Sequence, residues 1–264
     1  MGLLALVAGE RPGSEMHAYQ AALLVGALFT FSASRQFRRI EDPPHVRLAA
    51  GQSIRASGLK IWRDSARWRL LVSQAAAFVA LMLVIPFSTL AAKKAYGLSD
   101  FRVMGLALVS ILGVVAVARK FSAHSDAKGP QSLMVWCATG LAMVCALWIG
   151  IGAAASIYVL IPIFLLNGIA GTGLQIAASH AFHQTVPESE KVTHGIWFQT
   201  LPFLAGGAAA TLAGWGLQGL TRWLGPGPFA YRVYFAAVLV MMAPLLALSR
   251  LSKRRSRDAA STGG

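Results

Sequence analysis

The chain from Gly129 to Pro187 reads GPQSLMVWCATGLAMVCALWIGIGAAASIYVLIPIFLLNGIAGTGLQIAASHAFHQTVP. This run contains no Asp, Glu, Lys or Arg. A helix of about 20 apolar residues crosses a ~30 Å hydrocarbon core. The run is therefore long enough for two membrane spans, with the glycine- and alanine-rich segment at 150–154 as the turn between them. It predicts an integral membrane protein made of helices.

The rest of the chain continues this pattern. Of its 264 residues, 56% are hydrophobic and only 13% are charged, whereas a soluble domain carries about 25% charged residues. The sequence therefore predicts an all-α integral membrane protein of about seven transmembrane helices, at 17–34, 70–92, 103–118, 131–149, 155–179, 193–220 and 233–249. Cys137 and Cys145 lie in one apolar run without the spacing of a metal site, and we expect both to be core residues.

The basic residues predict the orientation of these spans. The segments between spans alternate across the membrane, which places residues 35–69 and the C-terminal tail on the same side. This side receives 18 of the 24 Lys and Arg. Short loops rich in Lys and Arg lie in the cytoplasm. We therefore expect a multi-pass protein of the inner or plasma membrane with a cytoplasmic C-terminus. The net charge of +14 is then explained by basic loops that face the lipid headgroups. We therefore expect no nucleic-acid partner.

The long basic segment contains an amphipathic stretch. Its apolar side chains alternate with cations: Ile54, Leu59, Ile61, Trp62 and Trp68 among Arg55, Lys60, Arg63, Arg67 and Arg69. This pattern predicts a short helix lying in the headgroup region, with its aromatic rings at the interface. The alternative is a solvated linker.

Three motifs in the second half of the chain resemble a known family. The chain reads NGIAGTG at 167–173, VPESEK at 186–191 and HGIW at 194–197, and Gly206, Gly207 and Gly214 follow. A glycine-rich helix, a short acidic-basic turn and a glycine-rich next helix are similar to helices 10 and 11 of major facilitator superfamily transporters. The layout of one helix, a long basic loop, six helices and a basic tail resembles that family from its sixth helix onward.

The resemblance implies a division of the chain into four parts. Residues 1–34 hold an apolar stub, Met1–Gly9, and one transmembrane helix; 35–69 form a cytoplasmic basic central loop; 70–249 form a six-helix bundle; and 250–264 form a basic cytoplasmic tail. It implies transport of a small, polar solute by alternating access, with about half of the family's fold present. A second six-helix bundle is then required as a partner, as a missing N-terminal half, a separate chain or a second copy.

Polar residues at membrane depth predict where a solute binds. A polar group in hydrocarbon must face a partner or a cavity. Asn167 and Gln175 are eight residues apart, about 80° around a helix, and Gln199 and Phe203 follow in the next span. We predict that Asn167, Gln175, Gln199 and Phe203 line a substrate-binding cavity. The competing interpretation is that the polar members are hydrogen-bonding contacts between helices.

Other functions have weaker support in the sequence. An enzyme would need paired carboxylates, a metal cluster or an activated nucleophile, and the acidic residues are scattered, so we expect no catalytic residues and no cofactor. His180 and His183 have the spacing of two metal ligands, but no third ligand lies nearby in the sequence, and we predict no metal. A non-transporting assembly or regulatory subunit stays open as the alternative to a carrier.

Overall fold

The computed structural model describes Phe31, residues 54–152 and residues 156–243. Within these ranges the chain is helical and contains no strand. The helices are α1 (Ile54–Arg63), α2 (Ser65–Lys94), α3 (Asp100–Lys128), α4 (Pro130–Gly150), α5 (Ile157–Thr185), a 3-10 turn (Glu188–Glu190), α6 (Lys191–Leu224) and α7 (Pro228–Ala243). Five of them, α2 to α6, are long and apolar enough to cross a membrane. The protein is therefore membrane-embedded.

The helix ends follow from local sequence. Asp64 caps α2, because its carboxylate accepts hydrogen bonds from the backbone N–H groups of Ala66, at 2.9 Å, and Arg67. Gly129, with φ of 81°, ends α3, and Pro130 starts α4. Gly225, with φ of 86°, ends α6 in the same way shortly before α7 begins. Only glycine adopts this left-handed conformation at little cost, so these turns are fixed by their sequence.

The predicted span boundaries are too short at several ends. Residues 119–128, which lie between the predicted spans 103–118 and 131–149, are helical and belong to α3. The helices α2, α5 and α6 likewise continue beyond 70–92, 155–179 and 193–220. Hydropathy marks the part of a helix in hydrocarbon, whereas polar residues continue the same backbone hydrogen bonding into the headgroup region.

Some predicted segments lie outside the described residues. These are the stub at Met1–Gly9, the residues of span 17–34 other than Phe31, residues 35–53 of the basic segment, residues 153–155 in the predicted turn and at the start of the fifth span, residues 244–249 of the last span, and the tail. The described part of the last span is α7, which begins five residues before position 233. In the basic segment, residues 54–63 and 65–69 are helical. A short helix, α1, is present in the predicted stretch, whereas Trp68 and Arg69 belong to α2, and the position of α1 in the headgroup region stays a prediction.

The core lies where α2, α4, α5 and α7 meet. Trp148 of α4 is fully buried, donates its indole N–H to Ser88 Oγ of α2 at 2.9 Å, and stacks on Phe235 of α7 with ring centroids 5.4 Å apart. Tyr234 of α7 donates to the carbonyl of Leu83 on α2. Cys137 and Cys145 are buried and unpaired as thiols, which confirms them as core residues. Burial of these aromatic and apolar groups holds the four helices together.

Close backbone approach brings α3 and α5 together. Gly113 of α3 faces the carbonyl oxygen of Leu165, which would lie 2.7 Å from a Cβ at position 113. Gly168 of α5 faces the carbonyl of Ser110 even more closely, so that a Cβ there would overlap this oxygen. The absence of side chains at both positions allows the two helices to pack at backbone distance, as is common in membranes.

Candidate functional site

A cavity of about 710 Å³ lies among α2, α5 and α6. Its walls come from the first half of α2, the last half of α5 and the first half of α6. These three segments lie at the same end of the bundle because α2 and α6 begin there and α5 ends there. A volume of this size falls in the range of small-molecule sites, about 300–1,000 Å³.

The cavity wall combines amides with aromatic rings. Its polar lining residues are Gln74, Gln175, Ser179, His183, Lys191 and Gln199. Its aromatic lining residues are Phe78, Phe182, Phe198 and Phe203, and the rest are aliphatic or small. No acidic side chain is among the described residues that line it. Amides donate and accept hydrogen bonds, and phenyl rings offer apolar faces, so this wall suits a small solute with both polar and apolar surface.

Contacts between helices fix the positions of several lining residues. Gln74 of α2 donates its side-chain N–H to the carbonyl of Ala178 on α5 at 2.7 Å. Phe78 of α2 packs on Phe203 of α6 with ring centroids 4.4 Å apart. Phe182 of α5 and Phe198 of α6 are 5.1 Å apart. The three helices are thus joined pairwise at the cavity, which gives it a defined shape.

Three of the four predicted site residues line this cavity. Gln175 of α5 and Gln199 and Phe203 of α6 are in its wall, and all three side chains are exposed in the single chain. Their role in binding a solute stays a prediction. Phe203 is 61% exposed although its ring packs on Phe78. The cavity is therefore open on the side lined by Gln175, Gln199 and Phe203.

Asn167 does not line the cavity. It is 1% exposed, and neither its Oδ1 nor its Nδ2 has a hydrogen-bond partner among the described residues. Gly171 lies one turn along the same side of α5, where an added Cβ would lie 3.2 Å from Ile85 Cδ1 and 3.4 Å from Leu81 Cδ2 of α2. Asn167 and Gln175 point in directions about 80° apart around the helix. This difference is large enough for Asn167 to face the core and Gln175 to face the cavity.

A second group of polar residues lies beside the cavity, and sequence reasoning did not identify it. His194 of α6 is fully buried. Its Nε2 is 2.9 Å from Arg67 Nη1, and its Nδ1 is 3.1 Å from both Ser57 Oγ and the Glu190 carbonyl oxygen. A guanidinium can only donate, so Nε2 accepts and Nδ1 carries the proton. The ring is therefore neutral in this arrangement.

Glu190 connects three parts of the chain. Its carboxylate pairs with Arg67 of α2 and, at 3.2 Å, with Lys60 of α1. Trp197 of α6 adds a hydrogen bond from its indole N–H to the Ile54 carbonyl at 2.9 Å, which holds α1 on α6. We call Ser57, Lys60, Arg67, Glu190 and His194 the polar cluster. The i, i+4 spacing of Glu190 and His194 was the available sequence signal, but their partners are more than 120 positions away.

The predicted metal-ligand candidates have other partners. His180 Nδ1 is 3.3 Å from Asp126 Oδ1 of α3. His183 is exposed, lines the cavity and lies edge-on to the ring of Phe182. Within residues 54–152 and 156–243, no three His, Cys, Asp or Glu side chains gather in a way that would hold a metal ion. The expectation of no metal stays a prediction.

No protein-family model, no curated protein and no solved structure matches the chain.

Proposed function

We propose that the chain is one half of a carrier that moves a small, polar, neutral solute across a membrane by alternating access. The observation that carries this proposal is the 710 Å³ cavity among three membrane-length helices. Carriers bind their solutes between helices of a membrane bundle and expose them alternately to the two sides. The resemblance of the three sequence motifs to the C-terminal half of major facilitator superfamily transporters supports the same proposal.

The lining residues support a neutral solute. A cation in this cavity would meet Lys191 and His183 and no lining carboxylate. An anion is disfavoured for a different reason, since Lys191 already forms an ion pair with Glu188. The amides of Gln175 and Gln199 form hydrogen bonds with hydroxyl, carbonyl or amide groups, and the phenyl rings cover carbon atoms. A solute such as a sugar, a polyol or an amide fits this combination.

The exposed amides also support a second bundle. Gln175 and Gln199 are exposed in the single chain, although an amide that faces hydrocarbon without a partner costs several kcal/mol. A second six-helix bundle over the open side would remove them from lipid and enclose the cavity. A separate half-sized chain, a second copy of this chain or a preceding segment would each complete the site in this way.

Binding of the solute tests the proposal directly. The purified chain in vesicles would be exposed to a panel of radiolabelled sugars, polyols, amino-acid amides and nucleosides, with retention measured by scintillation proximity. We expect one class to bind, and Gln199→Ala and Gln175→Ala each to weaken its binding about tenfold, the effect of losing one hydrogen bond of ~1.4 kcal/mol. Gln218→Ala is the matched control, because Gln218 is exposed on α6 outside the cavity.

Two outcomes would contradict the proposal. If no solute class binds to the chain alone or with its partner bundle, the chain is better explained as a non-transporting assembly subunit. If a solute binds and both cavity variants bind it as the wild type does, the site lies elsewhere.

Chemical labelling tests the accessibility and orientation of the cavity. Cys137 and Cys145 are 3% and 0% exposed, so the native chain should react little with a membrane-impermeant maleimide. We expect Gln199→Cys to be labelled at least about tenfold faster in inverted membrane vesicles than in intact cells, because the proposed topology places the cavity end in the cytoplasm. Faster labelling in intact cells would reverse the orientation, and no labelling from either side would mean that the cavity is closed.

A further inference from the structure

The two sides of α1 have different surroundings. Ser57 and Ile61 are each 2% exposed against the bundle, whereas Leu59 and Trp62 are 56% and 70% exposed. Arg63 is exposed beside them. A tryptophan this exposed to water would be unfavourable, but tryptophan is enriched where a protein meets lipid headgroups. The outward side of α1 therefore has the composition of a membrane interface.

The start of α2 lies at the same depth. α2 has 30 residues, which corresponds to about 45 Å of helix, and the hydrocarbon core is only ~30 Å thick. Its first residues therefore extend into a headgroup layer. Trp68 lies there and packs on Trp62 with ring centroids 4.4 Å apart. The two indoles join the outward side of α1 to α2 in one aromatic surface.

In the part of the chain that the structure describes, two arginines next to these indoles in sequence have hydrogen-bond donors without a partner. Lys60 and Arg67 form ion pairs with Glu190. Asp64 forms an ion pair with Arg67 and caps the N-terminus of α2. Within residues 54–152 and 156–243, Arg63 has no ion pair, and Arg69 bonds only to Ser65, through the carbonyl and hydroxyl oxygens of that residue. Each guanidinium has a full positive charge and a planar fork of donors that matches phosphate oxygens.

We propose that the surface formed by Leu59, Trp62, Arg63, Trp68 and Arg69 binds the headgroup of an anionic phospholipid. We call it the Trp62–Arg69 surface. The indoles lie at the level of the glycerol backbone, and the two guanidinium groups bind the phosphate. An anionic lipid is favoured over a zwitterionic one because, among the described residues, this surface has two cations without an ion pair and no free carboxylate for a choline or ethanolamine group. This inference does not depend on the proposed transport.

A lipid bound here is connected to the wall of the cavity through α1 and α6. The opposite side of α1 contacts α6 through Ser57 and the polar cluster, and the first half of α6 lines the cavity. A headgroup that holds α1 in place therefore stabilises the docked position of the N-terminal part of α6.

Fluorescence quenching at Trp62 tests the proposal. The full chain would be reconstituted in phosphatidylcholine vesicles containing a tenth of either dibrominated phosphatidylglycerol or dibrominated phosphatidylcholine. The chain has seven tryptophans, so the signal of Trp62 is the difference between the wild type and Trp62→Phe. We expect phosphatidylglycerol to quench this signal at least about threefold more strongly, since each cation near a membrane surface favours an anionic lipid about fivefold.

Matched variants separate the surface from charge in general. Arg63→Gln with Arg69→Gln should bring the quenching ratio close to one, and Arg63→Lys with Arg69→Lys should keep most of it. Arg102→Gln with Arg222→Gln removes two exposed cations at the other end of the bundle and should leave the ratio unchanged. Both replaced arginines of the surface are exposed, so we expect the thermal unfolding midpoint to stay the same.

Three results would overturn the proposal. One is a wild-type ratio near one, which would show contact with the membrane without preference for an anionic headgroup. Another is a preference that survives Arg63→Gln with Arg69→Gln. The third is an equal loss in the Arg102 and Arg222 control, which would assign the effect to net charge.

Discussion

Gly168→Ala is expected to lower the stability of the bundle by about 3 kcal/mol or more, the largest effect of any single methyl addition to the described part of the chain. A Cβ at this position would overlap the carbonyl oxygen of Ser110. Because the obstacle is backbone rather than a side chain, α3 and α5 would have to move apart, and overpacking of this kind costs several kcal/mol. The measurement is the thermal unfolding midpoint of the purified protein in detergent.

Two controls make the prediction specific to backbone contact. Gly207→Ala adds the same methyl group to a membrane helix where nothing lies within 4 Å, and it should leave stability unchanged or raise it by up to about 1 kcal/mol, because alanine favours the helix over glycine. Gly173→Ala meets the Cys137 side chain, so Cys137→Ala should restore part of the loss. Ser110→Gly should give no such rescue of Gly168→Ala, because the carbonyl remains. Equal stability of the Gly168 and Gly207 variants would contradict the close approach.

Glu190→Ala is expected to destabilise the docked position of α1 by about 2 kcal/mol. The change leaves Arg67 and Lys60 without their shared carboxylate, and the side chain of Arg67 is only 16% exposed. Removing one partner of a fully buried ion pair costs about 3–5 kcal/mol, and the partial exposure here reduces this. We would measure it as a lower unfolding midpoint and as faster proteolysis near α1.

The neighbouring Glu188 provides the matched control. It lies in the same 3-10 turn and pairs with Lys191, but its side chain is 79% exposed. Exposed ion pairs contribute about 0–1 kcal/mol, so Glu188→Ala should be nearly neutral. A double-mutant cycle between Glu190→Ala and Arg67→Ala should give a coupling energy above about 1 kcal/mol. If the two glutamate variants behave alike, the polar cluster does not hold α1 in place.

The helical spans were predictable because hydropathy acts over a whole segment. An uncharged run such as Gly129 to Pro187 is stable in a membrane as α-helix, since each backbone N–H and C=O must form its hydrogen bond within the segment. The ends were less predictable, because Arg119 and Lys120 continue α3 as readily as apolar residues would. The helix ends at Gly129, whose positive φ was visible in the sequence only as a Gly–Pro pair.

The cavity was predictable in part, and the polar cluster was not. Gln199 and Phe203 stand out as a polar and an aromatic residue in an apolar span, and both line the cavity. Asn167 stands out equally but faces the core, because the rotation of a helix about its axis depends on its neighbours. Arg67 and His194 are 127 positions apart, and no local pattern connects residues at that separation.

The sequence distance between α1 and its partners affects how the protein is made. Ser57 meets His194 across 137 residues. Ribosomes add about 5–20 residues per second, so α1 leaves the ribosome roughly 10 s before α6 exists. During that interval Lys60 and Arg67 lack the Glu190 carboxylate, and Asp64 is the nearby carboxylate that Arg67 already has. Docking of α1 therefore follows the synthesis of Glu190 and His194, and a chain stalled before Glu190 would have α1 undocked while α2 to α5 were already inserted.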